Sequence, residues 1–141
     1  MLVQKGIDNE SIARDAYIFD IAGDHLNLSV ADCGLHINSK WPFLGATPDG
    51  QVMCECCDTG LCEIKCPYKH RNSTILEAAT TEKDFCLRLN EDELKLDSKH
   101  QYYYQVQCQL FVTEMAYCDF VVWTEKDLFV QRLMPDEHFG M

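Results

Sequence analysis

A chain of 141 residues has room for one domain with its own core, and 47% hydrophobic with 25% charged residues is an ordinary globular mix. The net charge of −11 counts against broad, non-specific binding to a phosphate backbone, but not against a site whose bound cations reverse the local field. No apolar run is long enough to cross a bilayer, which predicts no membrane partner, and the opening "MLVQKGIDNE" has neither the apolar stretch nor the cleavage pattern of a signal peptide.

The stretch "IDNESIARDAYIFDIAG" reads as a helix capped by Asp8 or Asn9, with Ile12, Ala16 and Phe19 on one face and Gly23 at its end. "HLNLSVADCGLHIN" contains two short alternating runs, read as antiparallel strands, and "FLGATPDG" reads as a short strand entering a turn. "QVMCE" and "LCEIKCP" form a hairpin around "CDTG", with Pro67 stopping the second strand. "STILEAATTEKDF" reads as a helix and "LRLNEDELKL" as an exposed hairpin or loop. "SKHQYYYQVQCQLFVTEM" is the clearest helix, capped by Asp97 or Ser98, with Tyr102, Val106, Leu110 and Thr113 along one side. "YCDFVVWT" and "DLFVQRLM" are rich in β-branched and aromatic residues and read as strands. This order of elements predicts an α+β fold with one central mixed β-sheet flanked by helices.

Glu63 and Lys65 are two apart on a strand, so their side chains leave the same face. Isolated charges on an inner face are costly unless paired or bound to a metal. Asp49, in the Pro-Asp-Gly turn, reaches the edge of that face if the hairpin folds back. Two carboxylates and a lysine around one point suit Mg²⁺, which takes one or two carboxylates, waters and a substrate phosphate. Such a set fits phosphodiester hydrolysis, with the lysine holding the attacking water or charge on the phosphate. Each motif alone has a plainer reading, since Pro-Asp-Gly is a common turn and Glu-x-Lys a common strand edge.

Three motifs in order, "GATPDG", "EIKCP" and "YYYQVQCQLFVT", resemble the YqaJ-type viral recombinase nucleases, relatives of phage lambda exonuclease within the PD-(D/E)XK restriction-endonuclease-like fold. The resemblance runs roughly from Gly6 to Trp123 and implies one nuclease domain over 1–141 that lacks an upstream segment carried by relatives. It implies a Mg²⁺- or Mn²⁺-dependent deoxyribonuclease, an exonuclease acting at double-stranded ends in recombination or repair. Asp49 and Glu63 would hold the metal, with the backbone carbonyl of Ile64, and Lys65 would be the catalytic lysine. Gln105 matches the glutamine and Tyr102 the tyrosine of a Y-x-x-Q helix motif beside the DNA end. Glu10 matches an acidic residue on an early helix facing the site, and Thr47 a small hydroxyl residue near the terminal phosphate. Implied partners are DNA, a recombination partner protein and further copies of the chain; the implied location is intracellular, and nuclear in a eukaryote.

The helix carries its own signal. Gln101, Gln105 and Gln109 recur at i, i+4 and i+8 as a polar stripe that Tyr102 partly shares, and neutral amides can bond phosphates without adding charge. Aromatic and apolar neighbours suggest a partly buried Gln105. Lys69, His70 and Arg71 form the densest positive patch, so Lys69 and Arg71 are candidate phosphate contacts or else a solvated loop. Nine cysteines without a signal peptide read as reduced thiols, with Cys86, Cys108 and Cys118 as core residues. Cys54, Cys56, Cys57 and Cys62 are a candidate Zn²⁺ set, although C-x-C-C-x4-C is not a standard zinc spacing. Two readings therefore compete with the nuclease. One is a non-catalytic DNA- or protein-binding module on the same fold, and the other is a zinc-stabilised interaction domain.

Overall fold

The fold was taken from a computed structural model, which describes residues 2–23, 25, 27–31, 36–37, 45–46, 49–55 and 58–137; side chains at 2–9, 36, 37, 45 and 46 fall outside that description. Helix α1 spans Leu2–Ala22, followed by strands β1 (Ser29–Ala31), β2 (His36–Ile37), β3 (Gly45–Ala46), β4 (Gly50–Met53) and β5 (Gly60–Lys65). A single 3-10 turn, Tyr68–His70, leads to α2 (Ile75–Thr81), the hairpin β6 (Leu87–Asn90) and β7 (Glu93–Leu96), α3 (Gln101–Thr113), β8 (Cys118–Thr124) and β9 (Asp127–Leu133). None of the described helices is long and apolar enough to cross a membrane.

The five-stranded sheet has the order β1-β4-β5-β8-β9. Only β5 and β8 run parallel, with Glu63 opposite Phe120 and Lys65 opposite Val122. The neighbouring pairs β1–β4, β4–β5 and β8–β9 are antiparallel, so the sheet is mixed, as the order of elements predicted. Strand alternation divides the core in two. Leu61, Cys118, Phe120 and Val122 pack with Val106 and Leu110 of α3 and Ile75 and Ala78 of α2 on one face. On the other, Cys62, Ile64 and Val121 pack against Ala13, Tyr17 and Ile21 of α1.

Several local expectations are corrected. Helix α1 begins at Leu2, so neither Asp8 nor Asn9 caps it. Its buried face is Ala13–Tyr17–Ile21, whereas Ile12 is 52% and Phe19 88% exposed. Four-residue spacing exists in both registers, and the aromatic Tyr17, which has a buried polar partner, decides between them. Strands β1 and β2 do not pair with each other; β1 joins β4 and β2 joins β3. Helix α2 is shorter than predicted and starts with a capping box, in which Glu77 N–H donates to Thr74 Oγ1 at 3.1 Å and Thr74 N–H donates to Glu77 Oε1 at 2.9 Å. The cap of α3 is His100, whose Nδ1 accepts from Tyr102 N–H at 3.1 Å, rather than Asp97 or Ser98. Cys86 and Cys118 are buried as expected, while Cys108 is only half-buried.

Candidate active site

Strand β5 is central to the site. Its side chains alternate, so Glu63 and Lys65 emerge on the α3 face while Cys62 and Ile64 face α1. The pairing of β4 with β5 begins at Gly50 opposite Cys62, which leaves the end of β5 without a β4 partner. Asp49 fills that position, where its Oδ2 accepts from Ile64 N–H at 2.7 Å. In an extended strand the N–H and C=O of one residue point to the same edge, so the Ile64 carbonyl also emerges beside Asp49. Gly50 permits this approach, because a Cβ there would lie 2.8 Å from Cys62 Sγ.

Helix α1 closes the site from the other side. Arg14 donates to the Asp49 backbone carbonyl, and Glu10, one turn earlier, comes within hydrogen-bonding reach of the Asp49 carboxylate. Glu63 reaches the same carboxylate and is 2% exposed. Burial first, then the Asp49 carboxylate, pushes Glu63 up to about 8. The same causes in the same order push Glu10 up to about 7, and the charge of Lys65 opposes both shifts.

Helix α3 supplies the other wall. Lys65 Nζ donates to Gln105 Oε1 at 2.9 Å and lies 4.3 Å from the centre of the Tyr102 ring. Gln109 Nε2 donates to Glu63 Oε2 at 3.1 Å. The expected burial of Gln105 is corrected: it is exposed, and Gln109, one turn on, is the buried member of the stripe. Arg14 is a site residue that sequence reasoning did not name, and Gln109 is one that it named only as part of the polar stripe, with no role at the site. Each lies four residues after one that it did place there, Glu10 and Gln105, and that spacing was the available signal.

Among the described residues, no three His, Cys, Asp or Glu side chains form a ready-made metal cage. A hard cation such as Mg²⁺ does not need one, since it binds through one or two carboxylates and keeps its waters. The donor chemistry here fits it. Like charge gathers at Asp49, Glu63 and Glu10, which a divalent cation would relieve, and Gln109 Oε1 is buried with no partner among the described residues, an acceptor that a water could satisfy. The same test disfavours zinc at the cysteines. Cys62 is buried in the α1-facing core, where burial pushes its thiol up to about 12. The strand register opposes Cys62 to Gly50, four residues from Cys54, roughly 13 Å along the strand. Cys62 is therefore removed from the candidate zinc set. Cys54 instead has its sulfur 3.6 Å from His25 Nδ1, and Cys56, Cys57 and Thr47 lie outside the described residues.

The basic patch behind β5 is largely engaged. Lys69 Nζ pairs with both carboxylate oxygens of Glu82 at 3.1 Å, and Arg71 donates to Tyr68 O while its guanidinium lies 4.0 Å from the Tyr68 ring centre.

A mixed sheet with a carboxylate–lysine strand at its centre, flanked by a glutamine helix, is the arrangement the sequence motifs implied. Residues 2–116 match the model of the YqaJ-like viral recombinase domain, and the chain belongs to that family. Over 103 residues it is 33% identical to uncharacterised protein R354 of Acanthamoeba polyphaga mimivirus, covering 67% of this chain and 16% of that protein. The fold is similar to the crystal structure of an alkaline exonuclease, LHK-Exo, from Laribacter hongkongensis (TM-score 0.67, 29% identity, 96% of this chain and 59% of that one). It is equally similar to LHK-Exo in complex with dAMP (TM-score 0.67, 29% identity, 95% and 58%). The chain thus spans about a sixth of the mimivirus protein and under two thirds of the exonuclease.

Proposed function

We propose that this chain is the nuclease domain of a Mg²⁺- or Mn²⁺-dependent deoxyribonuclease that hydrolyses phosphodiester bonds at double-stranded DNA ends. The observation that carries the reading is the convergence of Asp49, Glu63 and Lys65 at the free end of β5, where Ile64 N–H fixes Asp49 and Gln105 fixes Lys65. Family membership and the likeness to an alkaline exonuclease point the same way.

In this reading Asp49, Glu63 and the Ile64 carbonyl hold the metal, and Glu10 stands behind Asp49. The bound cation supplies Lewis-acid neutralisation of charge on the scissile phosphate. Lys65, the catalytic lysine, orients the attacking water or takes up charge as the P–O bond to the leaving ester oxygen breaks. Gln105 and Tyr102 keep the Lys65 ammonium aimed into the site, so its conformational freedom is restricted before DNA arrives. Gln109 holds Glu63 in register for the metal. The DNA strand passes Tyr102 and Gln105, with Arg71 and Lys69 as outer phosphate contacts, and the family motif adds the Thr47 hydroxyl. DNA is the macromolecular partner, and assembly with further copies or with a recombination protein belongs to the same proposal.

The test is digestion of linear duplex DNA carrying 5′-phosphate ends, with Mg²⁺, Mn²⁺ or EDTA. Release of mononucleotides with either metal, its loss in EDTA and its loss in Lys65→Ala are expected. Retention of DNA without cutting would move the assignment to a binding module.

A further inference from the structure

We propose that the cleft running from Lys65 between the 3-10 turn and the start of α3 receives a nucleobase of the strand whose phosphate is held at that lysine; this rests on the nuclease reading above. The cleft has a volume of about 370 Å³, within the range of small-ligand sites. Its lining includes rings from three segments: His70 of the 3-10 turn, Phe85 between α2 and β6, and His100 and Tyr102 at the start of α3. His70 meets Phe85 edge-on, with centroids 5.3 Å apart at 82°, and His100 lies 4.6 Å from Tyr102 at 56°. The His100 ring is held by its capping bond, in which Nδ1 accepts from Tyr102 N–H, and the His70 backbone is fixed by its N–H donating to Pro67 O at 3.0 Å. Stacking on such faces is tolerant of base identity, because every base has a π-face.

The charge pattern selects a base over a second phosphate. Glu82 and Asp84 line the cleft and Glu82 already neutralises Lys69, so a phosphate inside would meet carboxylates. Those carboxylates accept hydrogen bonds from exocyclic amino groups. His100 accepts through Nδ1, so its neutral ring carries the proton on Nε2, a donor for ring nitrogens or carbonyls of a base. The lining cation that belongs to the candidate active site is Lys65, beside the Tyr102 ring and bonded to Gln105. A cation at the active-site end of the lining, together with aromatic rings and hydrogen-bonding edges, matches a nucleotide with its phosphate at Lys65 and its base in the cleft.

Two measurements test this. In EDTA, where no turnover occurs, deoxyadenosine and thymidine should shift the imidazole NMR signals of His70 and His100 saturably, whereas deoxyribose 5-phosphate should not. His70→Ala, shown to be folded by its unfolding curve, should weaken nucleoside binding about tenfold, the scale of one stacking contact. In the cleavage assay, a duplex with an abasic terminal nucleotide should have its KM raised about tenfold for the wild type, and the two substrates should converge for His70→Ala. Unmoved histidine signals, or equal KM for intact and abasic ends, overturn the cleft assignment while leaving the nuclease intact. Saturable nucleoside binding without any DNA cleavage supports the cleft and sinks the nuclease reading.

Discussion

The Tyr17 hydroxyl donates to Asp119 Oδ2 at 2.5 Å across 102 positions of sequence, joining α1 to the start of β8. Asp119 is 1% exposed and also accepts from Arg132 Nε at 2.8 Å and Nη2 at 3.1 Å, while the Arg132 guanidinium lies 3.7 Å from the centre of the Tyr117 ring. A buried carboxylate with three charge-assisted or phenolic donors is satisfied rather than stranded. This network fixes how α1 lies on the sheet, and α1 carries Glu10 and Arg14 into the candidate site. Tyr17→Phe should cost about 1–2 kcal/mol, since Asp119 keeps its arginine. Asp119→Ala leaves the Tyr17 hydroxyl buried without its partner and should cost about 3 kcal/mol or more. Urea unfolding with tryptophan fluorescence reads both, and an Asp119→Ala midpoint equal to wild type would refute the role given to the network.

Gly60 lies under the Tyr117 ring, and a Cβ there would come within 2.2–2.5 Å of three ring atoms. The ring cannot simply swing aside, because Arg132 covers it and Tyr117 is 3% exposed. Gly60→Ala should therefore lower stability by about 2 kcal/mol or more through overpacking, with a fall of several degrees in Tm. Gly60→Ala combined with Tyr117→Leu should recover part of the loss. An unchanged Tm in the single variant would show that the ring is free to move.

The parts of the site that the sequence made legible are those where chain spacing equals spatial spacing. Glu63 and Lys65 share a face because strand alternation requires it, and Asp49 could be placed because its turn opens the same hairpin. The Gln105–Gln109 stripe was visible for the same reason, through helical spacing. Which glutamine is buried was not, because that depends on how deeply α3 is seated over β5, a tertiary fact. Arg14 was missed for a similar cause, since its carbonyl partner lies 35 positions away. The face of α1 was misread because Ile12 and Phe19 are more hydrophobic than Ala13 and Tyr17, yet a buried tyrosine with a carboxylate partner outweighs an isoleucine–phenylalanine pair. The short strands β1 and β2 were recognised but mispaired, since two- and three-residue strands carry almost no register information of their own.

Within the site, the variants divide by what they touch. Lys65→Ala should lower kcat by roughly a hundredfold or more with little change in Tm, because its ammonium is only half-buried and its partner Gln105 is exposed to water. Gln105→Ala frees Lys65 from one contact and should cost about tenfold in kcat/KM. Gln109→Leu removes the donor to buried Glu63 and should weaken metal affinity by about 10–100-fold, the scale seen when outer partners of metal ligands are lost. Titration with Mn²⁺ followed by paramagnetic relaxation measures this last effect directly. Equal Mn²⁺ affinity in Gln109→Leu and wild type would show that Glu63 needs no such support.

The raised carboxyl groups give the metal-free protein a definite pH dependence. Glu63 is pushed up to about 8 and Glu10 to about 7, against 4.5 for the free side chain. Between 4.5 and 8 the folded state therefore binds more protons than the unfolded chain, and its stability falls as pH rises through that window. Below 4.5 both states are protonated at these groups and the contribution is flat; above 8 both are ionised and the loss is complete. In EDTA, Tm should accordingly be lower at pH 9 than at pH 6. Glu63→Gln should raise Tm at pH 9, where it removes a buried negative charge beside Asp49, and flatten the dependence. Mg²⁺ or Mn²⁺ should do the same for the wild type, because a divalent cation favours the ionised carboxylates and converts their repulsion into ligation. A pH slope in EDTA that is identical in wild type and Glu63→Gln would show that Glu63 is not held protonated by its burial and by Asp49.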